Sequence, residues 1–250
     1  MSNLGKDIKE YVSESFSGLA CAGMTFEDVE FDCCTFTECN FSGATFSRCN
    51  FIDCTFIRSN VSNAGLSWSK FSEVVFEDCK VLGLDWTRAS WPNVAFNAPL
   101  QFFRCILNDS SFFELTLAEL VIEDCKAHDV DFRGTTLNQS NFRHTDFYQS
   151  LFGKTKLCDA DFSEAVNYDI NIFDNEGNHI NDLSLGSMAM LGGLAIEKKG
   201  APDLGDLNND ETINIFDIVI NVENIFITML ISPYQEYSGD LNQDHNINIA

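Results

Sequence analysis

The sequence predicts an all-β solenoid with four-sided coils, and a five-residue apolar repeat is the first observation behind that prediction. An apolar residue recurs at every fifth position, in one run from Phe16 to Phe96 and a second run from Phe102 to Phe162. One extra residue separates the two runs. A period of five fits neither an α-helix nor a single strand. Repetition at a fixed period is typical of solenoids, whose units bury their apolar faces by stacking on their neighbours.

The second observation concerns the position two residues before each repeat centre. Small or medium-sized residues recur there, and no Asp, Glu, Lys or Arg falls at this position or at the centre anywhere in the stretch. A charged group inside an apolar column would be unpaired and costly, so both positions are predicted to point inward. Examples of the small residues are Cys34, Ala44, Cys54, Ala64 and Ser110.

The third observation is the match between residues 20 apart. If five residues form one side of a coil, four sides close a coil of 20 residues, and residues 20 apart stack. The matching residues include Phe31, Phe51 and Phe71, Cys34 and Cys54, and Cys105 and Cys125.

These repeats resemble a known family. Runs such as CTFTECNFSGATFSRCNFIDCTF and ADFSEA are similar to the pentapeptide-repeat proteins. The resemblance implies a right-handed quadrilateral β-helix with Phe or Leu inside. Within that family, three features are most similar to the topoisomerase-protecting branch, which comprises the Qnr-type quinolone-resistance proteins and the microcin-immunity protein. They are the Cys- and Phe-rich pentads, the Trp86–Trp91–Pro92 interruption, and the segment NYDINIFDNEGNHI…SLGSMAMLGGLAIE.

The predicted solenoid has a segment on either side of it. Residues 1–15 place Leu4, Ile8 and Val12 on one helical face and are predicted to form an N-terminal cap, either a short capping helix or a frayed end. The β-helix is predicted over 16–166, with its interruption near 97–101. Residues 167–197 are predicted to form a C-terminal cap with a short helix whose apolar side comprises Leu185, Met188, Leu191 and Leu194. The resemblance implies that this segment also pairs two monomers into a homodimer.

The C-terminal tail has a calcium-loop pattern. Residues 198–205 read as a linker, and a D-x-N-x-D segment follows within residues 206–250. Oxygen ligands at this spacing can surround one Ca²⁺, and an amphipathic helix is predicted after the loop. The predicted ligands are Asp206, Asn208, Asp210, Thr212, Asn214 and Asp217 in the first loop, and Asp240, Asn242, Asp244, Asn246 and Asn248 in a second, incomplete loop. The duplicated loop resembles a dockerin module, which implies calcium as a ligand and a cohesin-like partner.

The overall charge restricts the class of partner. The 250-residue chain has 15 Lys and Arg against 38 Asp and Glu, a net charge of −23. This charge argues against direct binding to nucleic acid or to anionic membranes and favours a basic partner. The sequence contains no apolar run of 18 residues and begins without a basic-then-apolar signal segment. We therefore expect a cytoplasmic protein without a membrane span.

The ten cysteines are predicted to be structural thiols. Seven fall two residues before a repeat centre and Cys21 falls at a centre, where a thiol behaves as a small apolar side chain. Only Cys33 and Cys158 are predicted to point outward. Adjacent coils are about 4.8 Å apart, so Cys34 and Cys54 could form a disulfide in an oxidising compartment.

No catalytic constellation is visible in the sequence. His128, His144, His179 and His245 are scattered, and no phosphate-binding loop, nucleophile elbow or HExxH motif is present. Acidic pairs such as Glu27–Asp28 lie on the outside of a rod and read as a solvated face. We therefore expect a binding protein and not an enzyme.

Two functions remain open at this stage. The resemblance implies a DNA mimic that binds DNA gyrase or topoisomerase IV and confers resistance to quinolones or related topoisomerase poisons. Residues 16–162 carry 20 acidic and 11 basic residues, whereas about 36 Å of B-DNA carries about 21 phosphates, so mimicry needs an uneven charge distribution. The sequence suggests one acidic stripe, Asp53, Glu73 and Glu114. With only a one-residue insertion, the chain is similar to the members without long loops. The alternative is a scaffolding rod with a calcium-dependent docking tail.

Overall fold

A computed structural model describes residue 4 and residues 8–91 and 98–170, and these residues form a four-sided parallel β-solenoid. Each side of a coil contributes a short strand or a single bridge, and each pairs in parallel with the same side of the next coil. The strands are β1 Glu10–Val12, β2 Ser15–Ser17, β3 Thr25–Glu27, β4 Glu30–Asp32, β5 Thr35–Thr37, β6 Thr45–Ser47, β7 Asn50–Ile52, β8 Thr55–Ile57, β9 Lys70–Ser72, β10 Val74–Glu77, β11 Leu100–Phe103 and β12 Val121–Glu123. One 3₁₀-helix, Trp86–Arg88, replaces a strand on one side of a coil.

The repeat centres point into the solenoid and form four stacked columns. Side 1 has Tyr11, Phe31, Phe51, Phe71, Trp91, Leu117, Leu137 and Leu157; side 2 has Phe16, Phe36, Phe56, Phe76, Phe102, Ile122, Phe142 and Phe162; side 3 has Cys21, Phe41, Val61, Val81, Leu107, Ala127 and Phe147; side 4 has Phe26, Phe46, Leu66, Trp86, Phe112, Phe132 and Phe152. The aromatic rings of one column lie nearly parallel. On side 1, for example, the ring centroids of Phe31, Phe51 and Phe71 are 5.1 and 5.2 Å apart. The predicted inward orientation of the centres is therefore confirmed for those that the structure describes; of the positions two residues before a centre most are buried, but Met24 is exposed.

The corners of the coils use a left-handed backbone conformation. The second residue after each centre has a positive φ at almost every corner, as in Asp53 (φ 49°), Glu73 (φ 54°) and Trp68 (φ 60°). This conformation costs a non-glycine residue about 1–2 kcal/mol. An inter-coil hydrogen bond offsets the cost, because the amide of the corner residue donates to a carbonyl of the next coil, as Asp53 N does to Ser72 O at 2.9 Å.

One coil is longer than the others, and here the sequence prediction was wrong. Phe76 pairs with Phe102, and Val74 pairs with Leu100, so this coil takes 26 residues where a standard coil takes 20. The six additional residues enter after Trp91, on side 1. The sequence had suggested an insertion of one residue, with Phe96 as a further centre. Phe96 lies outside the described residues.

The N-terminal boundary also needs correction. The predicted capping helix covered residues 1–15, yet Glu10–Val12 and Ser15–Ser17 are strands of the first coil. Tyr11 is buried as the first centre of side 1, and Val12, which was assigned to an apolar helical face, is exposed. A cavity of about 320 Å³ at this end is lined by Leu4, Ile8, Lys9, Tyr11, Met24, Thr25, Phe26, Glu27 and Val29.

None of the helices in the described part of the chain has the length and hydropathy needed to cross a bilayer. The structure does not describe residues 171–250. The predicted linker and calcium-binding tail therefore lie outside the described residues, as does the predicted C-terminal cap and homodimer segment apart from residues 167–170.

Candidate protein-interaction surface

The charges of the solenoid are sorted by edge, where an edge is the strip of outward residues around one corner column. We define the acidic edge as the strip between sides 1 and 2. It comprises residues 12–15, 32–35, 52–55, 72–75, 98–101, 118–121, 138–141 and 158–161. Its charged side chains are Glu14, Asp32, Asp53, Glu73, Glu119, Asp159 and Asp161. Among the described residues, this edge has no Lys or Arg.

The other three edges differ from it in charge balance. The strip between sides 2 and 3 has seven acidic residues and five Lys or Arg, and its cations form inter-coil ion pairs such as Arg58–Glu38 at 3.1 Å and Arg104 with Asp78 at 2.9 Å. The strip between sides 3 and 4 also has no Lys or Arg among the described residues, but it has only four acidic residues, which begin at Asp85. The strip between sides 4 and 1 is net basic. Negative charge without intervening cations is therefore a property of the acidic edge over the length of the described solenoid.

The structure brings together two of the three residues of the predicted acidic stripe. Asp53 and Glu73 follow Phe51 and Phe71 at the same corner, one coil apart. Glu114 follows Phe112 on side 4 and therefore lies at the corner between sides 4 and 1. Gly134 is its neighbour there, so close that a side chain at that position would meet Glu114. The stripe had been drawn across a one-residue insertion, and the six-residue insertion moves Glu114 to the neighbouring edge. Glu119 occupies the position in the acidic edge that had been assigned to Glu114.

The environment of Cys33 shows how strongly the acidic edge affects an ionisable group. The Cys33 thiol is exposed, and it lies 3.3 Å from Asp32 Oδ1 and 3.5 Å from Asp53 Oδ2. Hydrogen bonding to Asp32, followed by desolvation and a hydrogen bond to Asp53, raises the pKa of the Cys33 thiol to about 11. A thiolate is thus disfavoured beside the carboxylates, as expected where negative charges are gathered.

The interior cysteines have a role that sequence reasoning missed. They were predicted to be apolar fillers, yet one corner column of thiols and hydroxyls forms a continuous hydrogen-bond ladder. The amide of Cys79 donates to Cys105 Sγ (3.4 Å), and the Cys105 thiol donates to the carbonyl of Phe76 (3.4 Å). The members of the ladder are Cys39, Ser59, Cys79, Cys105, Cys125 and Thr145. The recurrence of Ser, Cys and Thr at this position was the signal in the sequence.

The described histidines connect neighbouring coils. His128 Nε2 lies 2.7 Å from Asp146 Oδ2, and His144 Nδ1 lies 3.1 Å from Glu164 Oε2. In residues 8–91 and 98–170, no group of three or more His, Cys, Asp or Glu side chains is arranged to hold a metal ion. The calcium ligands predicted at 206–217 and 240–248, and the cap residues Leu185, Met188, Leu191 and Leu194, lie outside the described residues.

Comparison with known proteins decides the family. The family model described as a pentapeptide repeat region matches residues 29–99 and 84–162, which together span more than half of the chain. The chain belongs to the pentapeptide-repeat family. This membership agrees with the four-sided coils and the five-residue beat. No curated protein matches the chain.

Solved structures of pentapeptide-repeat proteins are similar to this chain. A trypsin-treated variant of QnrB1, described as a plasmid-mediated fluoroquinolone resistance protein, is 16% identical with a TM-score of 0.53, covering 76% of this chain and 100% of its own. Full-length QnrB1 is 18% identical with a TM-score of 0.37 over 74% of this chain and 98% of its own. HetL from the cyanobacterium Nostoc sp. strain PCC 7120 is 12% identical with a TM-score of 0.21 over 65% and 86%. At 16% identity, the similarity to the trypsin-treated QnrB1 variant shows a shared fold and does not show a shared function.

Proposed function

We propose that the protein binds the basic DNA-binding surface of DNA gyrase or topoisomerase IV through its acidic edge, in place of DNA. The single observation behind the proposal is the charge of that edge, with seven carboxylates and no Lys or Arg among the described residues. A basic surface that binds duplex DNA attracts such an edge and is repelled by a cationic one.

Two further points support a topoisomerase as the basic partner. The chain has the solenoid fold of QnrB1, whose description names fluoroquinolone resistance. The solenoid is a parallel stack of coils with a line of carboxylates along one edge, which suits an extended basic surface. Protection of the topoisomerase from quinolones is a separate, more specific part of the proposal, and it is measured by an assay with the drug present.

The six-residue insertion bears on quinolone protection. The branch that protects against quinolones often has loops that interrupt the coil, and the sequence had suggested a chain almost without one. The 26-residue coil gives this protein a longer interruption on side 1, between the levels of Glu73 and Glu119 of the acidic edge. We therefore propose topoisomerase binding and drug protection as two separable activities of the same surface.

The experiment is a gyrase supercoiling assay with the full 250-residue chain, with and without a quinolone. The test variant is Asp53→Asn with Glu73→Gln, and the matched control is Asp109→Asn with Asp129→Asn, which removes the same charge from the strip between sides 3 and 4. We expect the wild type and the control to inhibit supercoiling or to relieve the drug. We expect the test variant to need about three- to tenfold more protein, since two exposed charges are lost.

A wild-type protein without effect in either arm would overturn the proposal and favour the scaffolding alternative. Equal loss in the test variant and in the control would show that net charge matters and the acidic edge does not. The scaffolding alternative rests on the predicted tail, and its readout is calcium-dependent capture of a cohesin-like partner by the full chain.

A further inference from the structure

Trp68 is the most exposed large apolar side chain in the described part of the chain. The residue is 73% exposed, whereas the neighbouring Trp86 is fully buried inside the coil. No ring contact or cation–π contact of Trp68 is seen among the described residues, in which Arg133 lies over Phe113 at 5.7 Å. The indole therefore adds apolar surface to the outside of the rod and contributes little to the core.

The position of Trp68 is also unfavourable for a bulky side chain. It is a corner residue with a φ of 60°, a conformation that suits Gly, Asn and Asp better. The hydrogen bond from its amide to Arg88 O, at 2.9 Å, is one that any residue could make at this corner. Folding thus gives no reason for an indole here, and the corner conformation adds a cost.

Trp68 lies on the edge between sides 4 and 1, which we call the tryptophan edge. It comprises residues 27–30, 47–50, 67–70, 87–90, 113–116, 133–136 and 153–156. Its cations are Arg48, Lys70, Arg88, Arg133, Lys154 and Lys156, and its acidic residues are Glu27, Asp28, Glu30 and Glu114. It is the net basic edge of the described solenoid, and it borders the same side, side 1, as the acidic edge.

Two arginines flank Trp68 in its own corner column. Arg48 lies one coil before it and is held by Asp28 at 2.7 Å; Arg88 lies one coil after it and is held by Asp85 at 3.2 Å. The Arg88 side chain is 73% exposed, and its pair with Asp85 uses only Nε. Arg48 also donates to Glu27 at 2.7 Å, so its guanidinium is already paired with two carboxylates, whereas the pair of Arg88 leaves most of that side chain exposed beside Trp68 in the column.

We propose that the tryptophan edge is a second contact with the same topoisomerase, and that it sets the rotation of the rod about its axis. The proposal rests on the proposed function. The partner surface that fits it is apolar opposite Trp68 and has a carboxylate opposite Arg88, next to the basic surface that meets the acidic edge. Trp and Arg are the residues that most often dominate binding energy at protein interfaces.

The two edges can be covered together. They are the two borders of one five-residue side, and a standard interface buries about 800 Å² per partner, far more than the outward surface of a few residues. A rod that was acidic on every side would bind a basic saddle in any rotation. A net basic edge with an indole beside the acidic edge removes that freedom, because a turned rod would bring cations against the saddle.

The test is the dissociation constant of the 250-residue chain for gyrase, with Trp68→Ala as the variant. Tyr148→Ala is the matched control, since Tyr148 is a half-exposed aromatic residue on the strip between sides 3 and 4. We expect Trp68→Ala to weaken binding by about tenfold or more, Trp68→Phe to weaken it less, and Tyr148→Ala to change it by less than about twofold. Thermal melting should show that all three variants fold.

The salt dependence separates the two contacts. We expect Asp53→Asn with Glu73→Gln to flatten the dependence of affinity on salt, and Trp68→Ala to leave its slope unchanged, because the indole has no charge. If wild-type protein does not bind gyrase, the proposed function fails. If wild-type protein binds and Trp68→Ala binds equally well, the proposed function stands and the tryptophan edge is overturned.

Discussion

At the residue scale, the corner positions of the solenoid need hydrogen-bonding groups as well as small size. In the ladder from Cys39 to Thr145, each inward Ser, Cys or Thr after Cys39 accepts from the amide one coil before it and donates to a backbone carbonyl. A buried amide without a partner costs about 1–3 kcal/mol. The thiols are therefore part of the backbone hydrogen-bond network and do more than fill space.

Replacement of Cys105 tests that role. Cys105→Val keeps the side chain apolar but removes the acceptor of the Cys79 amide and the donor to the Phe76 carbonyl. We expect Cys105→Val to lower the free energy of unfolding by about 1–3 kcal/mol and Cys105→Ser to lower it less. Urea unfolding followed by circular dichroism measures both. A valine variant as stable as the serine variant would show that the thiol is only a filler.

Cys33 offers a direct probe of the acidic edge. Only the thiolate is nucleophilic, and a pKa of about 11 leaves a much smaller thiolate fraction at pH 8 than the ordinary value of 9.0 does. We expect iodoacetamide to alkylate Cys33 about a hundredfold more slowly than a normal thiol, although Cys33 is exposed. Asp53→Asn should raise the rate, whereas Asp109→Asn should leave it unchanged. Peptide mass spectrometry gives the rates; fast labelling in the wild type would contradict the geometry.

At the element scale, the stability of a coil depends on its inward column. Phe51 is 1% exposed and stacks between Phe31 and Phe71. We expect Phe51→Asp to unfold the solenoid, because it buries an unpaired charge in an aromatic column. Ser47→Asp, at an outward position beside Arg48, is the control and should melt close to the wild type. An unchanged melting temperature for Phe51→Asp would refute the inward assignment.

Calcium binding by the C-terminal tail remains a prediction, and the first predicted loop is enough to test it. Calcium bound by Asp206, Asn208, Asp210, Thr212, Asn214 and Asp217 should stabilise residues 201–250 and leave the solenoid unchanged. Hydrogen exchange of the full chain with calcium and with a chelator measures this, and Asp206→Ala with Asp210→Ala is the variant that should abolish the difference. Equal exchange of residues 201–250 in both conditions would remove the site.

The sequence predicted the regular coils well because their chemistry is periodic. Phe31, Phe51 and Phe71 could be placed in one column from the 20-residue spacing alone. Tyr11 was missed although it lies five residues before Phe16, because the repeat was started one side too late. The positive φ at the corners was not predictable from residue type, since Asp, Glu, Arg and Trp all occupy it.

The length of the insertion could not be read from the sequence, for a specific reason. Phe96 lies five residues after Trp91, so six inserted residues look like one more pentad and a single extra residue. Only the pairing of Phe76 with Phe102 distinguishes the two. The same error moved Glu114 onto the wrong edge and hid Glu119. A candidate surface on a solenoid therefore depends on the register of every coil between its residues.

At the scale of the whole molecule, net charge is a poor guide to the binding surface. The described solenoid has one edge with seven carboxylates and no Lys or Arg along its length and, across side 1, a net basic edge that contains an exposed tryptophan. The partner that we propose is basic along one line and contacts the tryptophan edge beside it. Replacement of DNA on a topoisomerase is the binding mode that best fits the first of these features.

The most direct test of this account is competition between the protein and duplex DNA for gyrase. The fluorescently labelled 250-residue chain is bound to gyrase, and unlabelled duplex is added at fixed salt while anisotropy is recorded. We expect DNA to displace the protein completely, and we expect the affinity of the protein to fall as salt rises. Simultaneous binding of protein and DNA, or no binding of the protein at low salt, would contradict the claim that the acidic edge occupies the DNA-binding surface.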